Sequence, residues 1–270
     1  MIELKNITVR FNRGSVDEVL ALNDLNLTIG ESEFVTVIGT NGSGKSTLLN
    51  LIAGDIMPDE GRVILDGKDV TRWPAYRRAA ILSRVFQNPY LSTAPDMTIA
   101  ENLLMAWFRG KNRYPKFSLN KALLKEFRHK LAGLEMNLED RITNTAGTLS
   151  GGQRQAVTLL MAVIVKPRIL LLDEHTAALD PKSAAQVIKL TEKFVSSYGL
   201  TSLMVTHSMK QALEIGSRII MMHRGRIISD IPAREKELLT VDDLLGKFDN
   251  IRKKEKLTGE MLENFRRQYV

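Results

Sequence analysis

The sequence predicts an α/β fold in which a parallel sheet carries a phosphate-binding loop, and three observations lead there. The run Gly39-Thr40-Asn41-Gly42-Ser43-Gly44-Lys45-Ser46-Thr47 follows an apolar stretch, Phe34 to Ile38, and opens an apolar helical pattern. A second glycine run, Leu149-Ser150-Gly151-Gly152-Gln153, leads into another helical segment, Arg154 to Val165. From Ile169 onward, short apolar strands alternate with helical stretches, the rhythm of βαβ units.

The first run has the context a phosphate loop needs. Gly39, Gly42 and Gly44, with Asn41 between them, let backbone N–H groups converge on phosphate oxygens without Cβ obstruction. The helix expected to start near Lys45 points its positive dipole end at the same anion. Lys45 adds a mobile point charge for the β- and γ-phosphates, the Ser46 hydroxyl is placed to bind Mg²⁺, and Thr47 falls beside the α-phosphate.

Composition narrows the class further. With 270 residues, 44% of them hydrophobic, the chain can bury a substantial core, and without cysteine it offers neither disulfides nor thiolate metal sites. A cytosolic setting is the default expectation. Met1 to Arg10 alternates apolar and polar residues like a half-exposed strand and lacks the apolar core of a signal peptide. No apolar run approaches the ~20 residues that span a bilayer, so membrane attachment is expected through a partner. The net charge of +7 would suit an anionic partner such as lipid headgroups or nucleic acid, although excess positive charge is more often solvated surface.

Along the chain, residues 2–10, 19–29 and 33–38 read as strands, with a Gly30-Glu31 turn between the last two, and further strands are expected at 62–66 and 81–86. From Thr98 to Glu135 the period becomes helical. Ile99, Leu103, Ala106 and Trp107 share one face, and Leu119, Leu123, Leu124, Phe127 and Leu131 another. The basic, Pro-containing stretch Arg109 to Lys116 interrupts this insert as an expected exposed loop. The βαβ part comprises strand Ile169–Leu172, helix Lys182–Ser197, strand Thr201–Val205, a short helix from Met209 and strand Ile219–Met222. A charge-rich segment follows from about Asp249, expected as a peripheral helix or a frayed tail.

Ser150 and the glycines after it form a second anion site at a helix N-terminus. One nucleotide rarely needs two such sites from a single chain. The economical arrangement is a dimer in which the Lys45 loop of one copy and the Ser150 loop of the other enclose the same nucleotide, repeated twice by symmetry.

The pair GTNGSGKST and LSGGQ resembles the ATP-binding cassette (ABC) family, and further motifs follow in that family's order over roughly residues 2–248. The resemblance implies ATP and Mg²⁺ as ligands. It also implies a RecA-like parallel-sheet core, an N-terminal antiparallel β subdomain and an α-helical subdomain inserted at about 88–150, with 249–270 as a charged tail. Ser150, Gly151, Gly152 and Gln153 become the nucleotide contact of the opposite copy. Arg168 to Glu174 is an apolar strand ending in two acids: Asp173 is placed at the Mg²⁺ and Glu174 resembles the family's catalytic base. Gln87 resembles the glutamine that touches the metal at the root of the helical insert, and His207 the histidine that contacts γ-phosphate. Asp180 resembles the dimer-contact loop and is also a candidate N-cap beside Pro181. Phe11 stands where the family commonly stacks an aromatic ring on adenine, and neighbouring Arg13 offers a charged alternative. One departure is His175, where the family usually has proline after the glutamate.

Asp-Glu-His-Thr-Ala-Ala-Leu-Asp from Asp173, Leu159 to Ala162 and Leu203 to His207 look most like a bacterial importer branch described as ATPases for tryptophan or tyrosine uptake. That likeness implies a second copy, an integral membrane permease, an extracytoplasmic binding protein, and a place on the cytoplasmic face of the membrane. Phe86, Pro89, Tyr90 and Met97 are the residues expected to receive the permease. An exporter or lipid-extraction ATPase has the same cassette. A soluble cassette acting on nucleic acid or ribosomes is disfavoured by the single cassette, the absence of sustained heptads and the absence of cysteine. A small-molecule kinase leaves LSGGQ and His207 unexplained.

Overall fold

A computed structural model describes residues 1–110 and 119–254. Lys111 to Lys116 of the basic stretch, and 255–270 of the tail, lie outside the described residues. The chain divides into two units, Met1–Arg72 with Leu203–Val270, and Trp73–Ser202.

The first unit opens with β1 (Ile2–Phe11), β2 (Val19–Ile29) and β3 (Phe34–Gly39), then α1 (Lys45–Ala53), β4 (Glu60–Leu65) and β5 (Lys68–Asp69). Strands β2, β1, β4 and β5 form an antiparallel sheet in that order. The alternation expected of β1 is present with a phase shift: Ile2 and Leu4 are buried, then Ile7 and Val9, because the register slips between Leu4 and Ile7, where Asn6 takes φ 51°. β3 is buried at every position, as a strand covered on both faces should be.

The second unit contains α2 (Ala75–Arg78), β6 (Leu82–Val85), α3 (Ile99–Trp107), α4 (Lys121–Ala132), α5 (Gly151–Val163), β7 (Ile169–Asp173) and α6 (Pro181–Tyr198). β6 and β7 pair in parallel, Leu82 opposite Ile169 through Val85 opposite Leu172. The helical insert is pinned by local chemistry. Thr98 and Glu101 form a reciprocal capping box on α3, and the fully buried Asn102 amide donates to the Ala94 and Thr98 carbonyls while accepting from Ala94 N–H. Trp107 meets Phe127 of α4 edge-on at 6.0 Å. α5 is buried along almost its whole length.

β8 (Thr201–Val205) leads back to the first unit, which ends with α7 (Met209–Glu214), β9 (Arg218–His223), β10 (Arg226–Ile231), α8 (Ala233–Lys236) and α9 (Val241–Lys254). β3 pairs in parallel with β9, and β9 pairs antiparallel with β10. β10 was not expected from sequence. It follows a two-residue turn, Arg224 (φ 46°) and Gly225 (φ 75°), with His223 opposite Arg226. The expected boundary at Asp249 falls inside α9, which starts at Val241 and buries Leu244 and Phe248 among Ile38, Met209, Met221 and Ile231.

If α9 is part of this core, Leu244→Ala should cost about 2–5 kcal/mol, the range for a buried leucine that leaves a cavity. Urea unfolding checks this; a loss below about 1 kcal/mol would place Leu244 outside the packed core.

Candidate functional site

The loop after β3 is shaped by close backbone approaches. Gly44 takes φ 98°, and a Cβ there would stand 2.6 Å from the Ala21 carbonyl oxygen. At Gly39 a Cβ would stand 2.4 Å from the Met222 carbonyl oxygen of β9. Gly42 also takes positive φ, 72°, though with open space around it. Helix α1 begins at Lys45 with Gly44 as N-cap, so no side chain caps it, and no acid stands in its first turn. Its N-terminal dipole therefore meets no carboxylate of its own first turn, the arrangement that suits an external anion. The buried Lys45 ammonium donates to the Gly39 and Thr40 carbonyl oxygens at 2.6 and 3.1 Å. Asn41 and Ser46 are exposed, and Thr47 is half-buried.

The same unit holds Phe11 and His207. Phe11 ends β1 opposite Val19 with 40% of its surface exposed, so its ring is a surface platform rather than core. Arg13 lies 3.9 Å from Asp59. His207 is half-buried between β8 and α7, directly after Thr206, whose N–H donates to the Val37 carbonyl of β3.

In the second unit, Ser150 caps α5. Its hydroxyl oxygen accepts from Gln153 N–H at 3.3 Å, and Gln153 Oε1 accepts from Ser150 N–H at 3.2 Å. Gly152 is needed for packing: a Cβ there would be 2.6 Å from Ser183 Oγ on α6. Gly151 faces the Leu179 side chain. Asp173 ends β7, and its Oδ2 accepts from Arg84 Nη2 at 2.6 Å. Glu174 follows in the left-handed region, φ 45°, an uncommon backbone for a non-glycine residue and one concentrated at functional turns. Asp180 is exposed and caps α6 through Ser183 N–H at 3.1 Å ahead of Pro181; hydrogen bonds from Ser183 hold its pKa below the usual value. Gln87 is exposed two residues beyond β6.

His175 is structural. It is buried, and its Nε2 lies 3.0 Å from Thr191 Oγ1 of α6. Thr191 donates its own hydroxyl proton to the Val187 carbonyl, so His175 must donate from Nε2, which fixes the neutral tautomer. Burial pushes its pKa down to about 4.

A groove of ≈ 490 Å³ opens in the second unit, lined among others by Tyr76, Arg84, Phe86, Met105, Phe108 and Met161. Of the residues expected to form a docking surface, Phe86 lines it, Pro89 is buried, Met97 is half-buried, and the exposed Tyr90 ring stacks on the buried Arg154 guanidinium at 4.1 Å. Arg109, expected at the start of an exposed loop, instead lines this groove and donates to the Ala162 carbonyl at 2.7 Å; burial lowers its pKa. Tyr76, Met105 and Met161 were missed because they come from separate segments joined only by folding.

Ser46, Gln87 and Asp173 all offer oxygen donors, the chemistry that Mg²⁺ takes. Among the described residues no group of three or more His, Cys, Asp or Glu could form a metal cage by itself. A cation held largely by phosphate oxygens and water fits that donor set better than one caged by protein.

The comparisons with known proteins agree on the class. Residues 22–177 match the ABC transporter family, and the chain belongs to that family. It is 43% identical over 252 residues to a tyrosine transport ATP-binding protein of Clostridioides difficile, covering 92% of this chain and 99% of that one. It is 36% identical to a spermidine/putrescine import ATP-binding protein, PotA, of Haemophilus ducreyi, over 87% of this chain but only 59% of the longer relative. A solved dimeric ATP-binding cassette in a post-hydrolysis state with ADP and Pi superimposes with a TM-score of 0.74 at 32% identity, covering 87% of this chain and 99% of that one. An ABC transporter cassette in its ADP conformation gives 0.74 at 26% identity, covering 92% and 98%. The chain is thus an ATP-binding cassette ATPase, with the P-loop core and β and helical parts expected of that fold. Among the described residues no helix is long and apolar enough to cross a membrane.

His175 supplies a pH prediction. Its folded pKa, about 4, lies below the unfolded value of 6.5, so between those values the unfolded chain binds more protons and stability falls as pH drops. His175→Gln should flatten the loss between pH 6.5 and 4 seen by urea unfolding of the wild type; identical slopes in both proteins would remove His175 as a source.

Proposed function

We propose that two copies of this chain close on two ATP molecules and that closure drives a separate membrane permease for uptake of a small solute of the amino-acid class. The observation that carries this reading is the presence in one chain of two glycine-rich helix N-termini, at α1 and α5, each suited to an anion. In the closed state Lys45, Thr47 and the loop N–H groups of one copy hold the phosphates while Ser150 to Gln153 of the other complete the site and Asp180 lies at the contact. Ser46, Gln87 and Asp173 would hold Mg²⁺, which neutralises phosphate charge when bound. Glu174 orients and deprotonates the attacking water, and His207 supports the γ-phosphate end. Phe11 supplies a ring face for adenine. ATP shifts the equilibrium because the complete site exists only in the closed form, and hydrolysis removes the bridging phosphate.

The permease is received in the groove beside Phe86 and Met105, which places this ATPase on the cytoplasmic face of the membrane. The amino-acid class rests on the tyrosine transport relative, which this chain matches over nearly its full length. In this architecture an extracytoplasmic binding protein would select the solute. The cassette runs through the end of α9, past the expected boundary at 248, with the helical part at about 88–150.

Lys45→Ala should weaken ATP binding, whereas Glu174→Gln should keep binding, slow turnover by about 100-fold or more, and trap an ATP-bound dimer. Size-exclusion chromatography with light scattering, with and without ATP, separates these outcomes. Normal turnover in Glu174→Gln would move the base assignment elsewhere, and an ATP-independent monomer would remove the dimer.

A further inference from the structure

The Arg84–Asp173 pair is the contact the nucleotide chemistry does not use. Arg84 stands opposite Leu171 in the parallel β6–β7 register, and Asp173 lies two residues beyond Leu171, so both side chains leave the same face of these strands. The ion pair is short, 2.6 Å, with side chains only 10% and 16% exposed, so solvent screens it less than a surface pair. Arg84 Nη2 donates to Asp173 Oδ2. The same guanidinium sits 4.7 Å over the Phe86 ring and lines the groove.

We propose that Arg84 is a resident counter-cation of Asp173 that competes with Mg²⁺ for this carboxylate. This rests on the reading of Asp173 as the metal carboxylate. A largely desolvated aspartate needs a positive partner, and Arg84 supplies one within the chain. When a divalent cation arrives, two positive groups share one carboxylate. Their mutual repulsion is not offset unless the guanidinium gives way, so Arg84 lowers the affinity of the site for the metal. Phe86 offers the guanidinium a face on which to remain once its hold on Asp173 loosens. Arg84 thus positions Asp173 when no metal is bound and sets how much free Mg²⁺ the site requires.

The test is equilibrium binding of a non-hydrolysable ATP analogue at graded free Mg²⁺, for the wild type, Arg84→Met, Arg84→Gln and Asp173→Asn, with thermal melting to establish that each is folded. The neutral Arg84 variants should reach half-maximal Mg²⁺ enhancement of binding at about tenfold lower free Mg²⁺, the scale of one charge-assisted hydrogen bond, with binding in EDTA unchanged. A midpoint in both neutral variants equal to or above the wild type overturns the proposal, and a lowered melting temperature with a fixed midpoint assigns Arg84 to strand packing alone. Asp173→Asn separates the two layers. If it leaves the Mg²⁺ dependence unchanged, the metal assignment fails. If it raises the Mg²⁺ requirement while the Arg84 variants do nothing, the counter-cation alone fails.

Discussion

The tight passage of backbone around the Lys45 loop is the constraint on which the rest of the first unit depends. The loop is wedged between β2 and β9: side chains at Gly39, Gly44 and Gly225 would stand within 2.6 Å of carbonyl oxygens of Met222 and Ala21. Gly225 N–H donates to the Ser43 carbonyl at 3.0 Å, so the β9–β10 turn is a brace for the loop and not only a hairpin. Such a loop is preorganised. Its N–H groups are held in place by neighbouring strands before any phosphate arrives, so little reorganisation is left to binding. Lys45, folded onto two carbonyls of its own loop, keeps its charge solvated by protein in the meantime.

The two helix N-termini solve the same problem differently. α1 has glycine at its cap and no acid in its first turn, which leaves its dipole for an external anion. α5 is closed by its own Ser150–Gln153 box, yet Ser150 is exposed and its hydroxyl accepts from Gln153, leaving the O–H proton available to a second group. A tightly held helix end that still presents a donor outward suits a contact completed by another copy better than a pocket within one chain. Gly152 adds rigidity, because α5 and α6 approach too closely there for any larger residue.

What was legible in the sequence was local. Glycine runs, the apolar strands Phe34 to Ile38 and Ile169 to Leu172, and the Asp180-Pro181 cap carry their meaning within a few residues, and each falls where expected. β10 was missed because an edge strand with polar positions, Arg226 to Ile231, has weak patterning; the Arg224-Gly225 turn was its one local signal. The start of α9 was hidden by charge, although Leu244 and Phe248 have helical spacing. Arg84 was illegible in principle. A charged residue in a short strand reads as exposed, and only the pairing of β6 with β7 brings it to Asp173.

The turn after β7 shows how a departure from a family pattern can be absorbed. Glu174 occupies a left-handed backbone that costs an ordinary residue about 1 kcal/mol or more, so something nearby must hold it there. Proline would constrain the next φ through its ring. Here the next residue is His175, which gives up that constraint but reaches α6 from a buried position through Thr191. Ala177 N–H closes the turn onto the Glu174 carbonyl at 3.0 Å, and Asp180 caps the helix to which His175 is tied. The turn is therefore fixed at both ends to the same helix, and burial keeps the imidazole in it neutral: a protonated His175 would keep its Nε2–H bond to Thr191 but would be a buried cation, which is the cost that lowers its pKa.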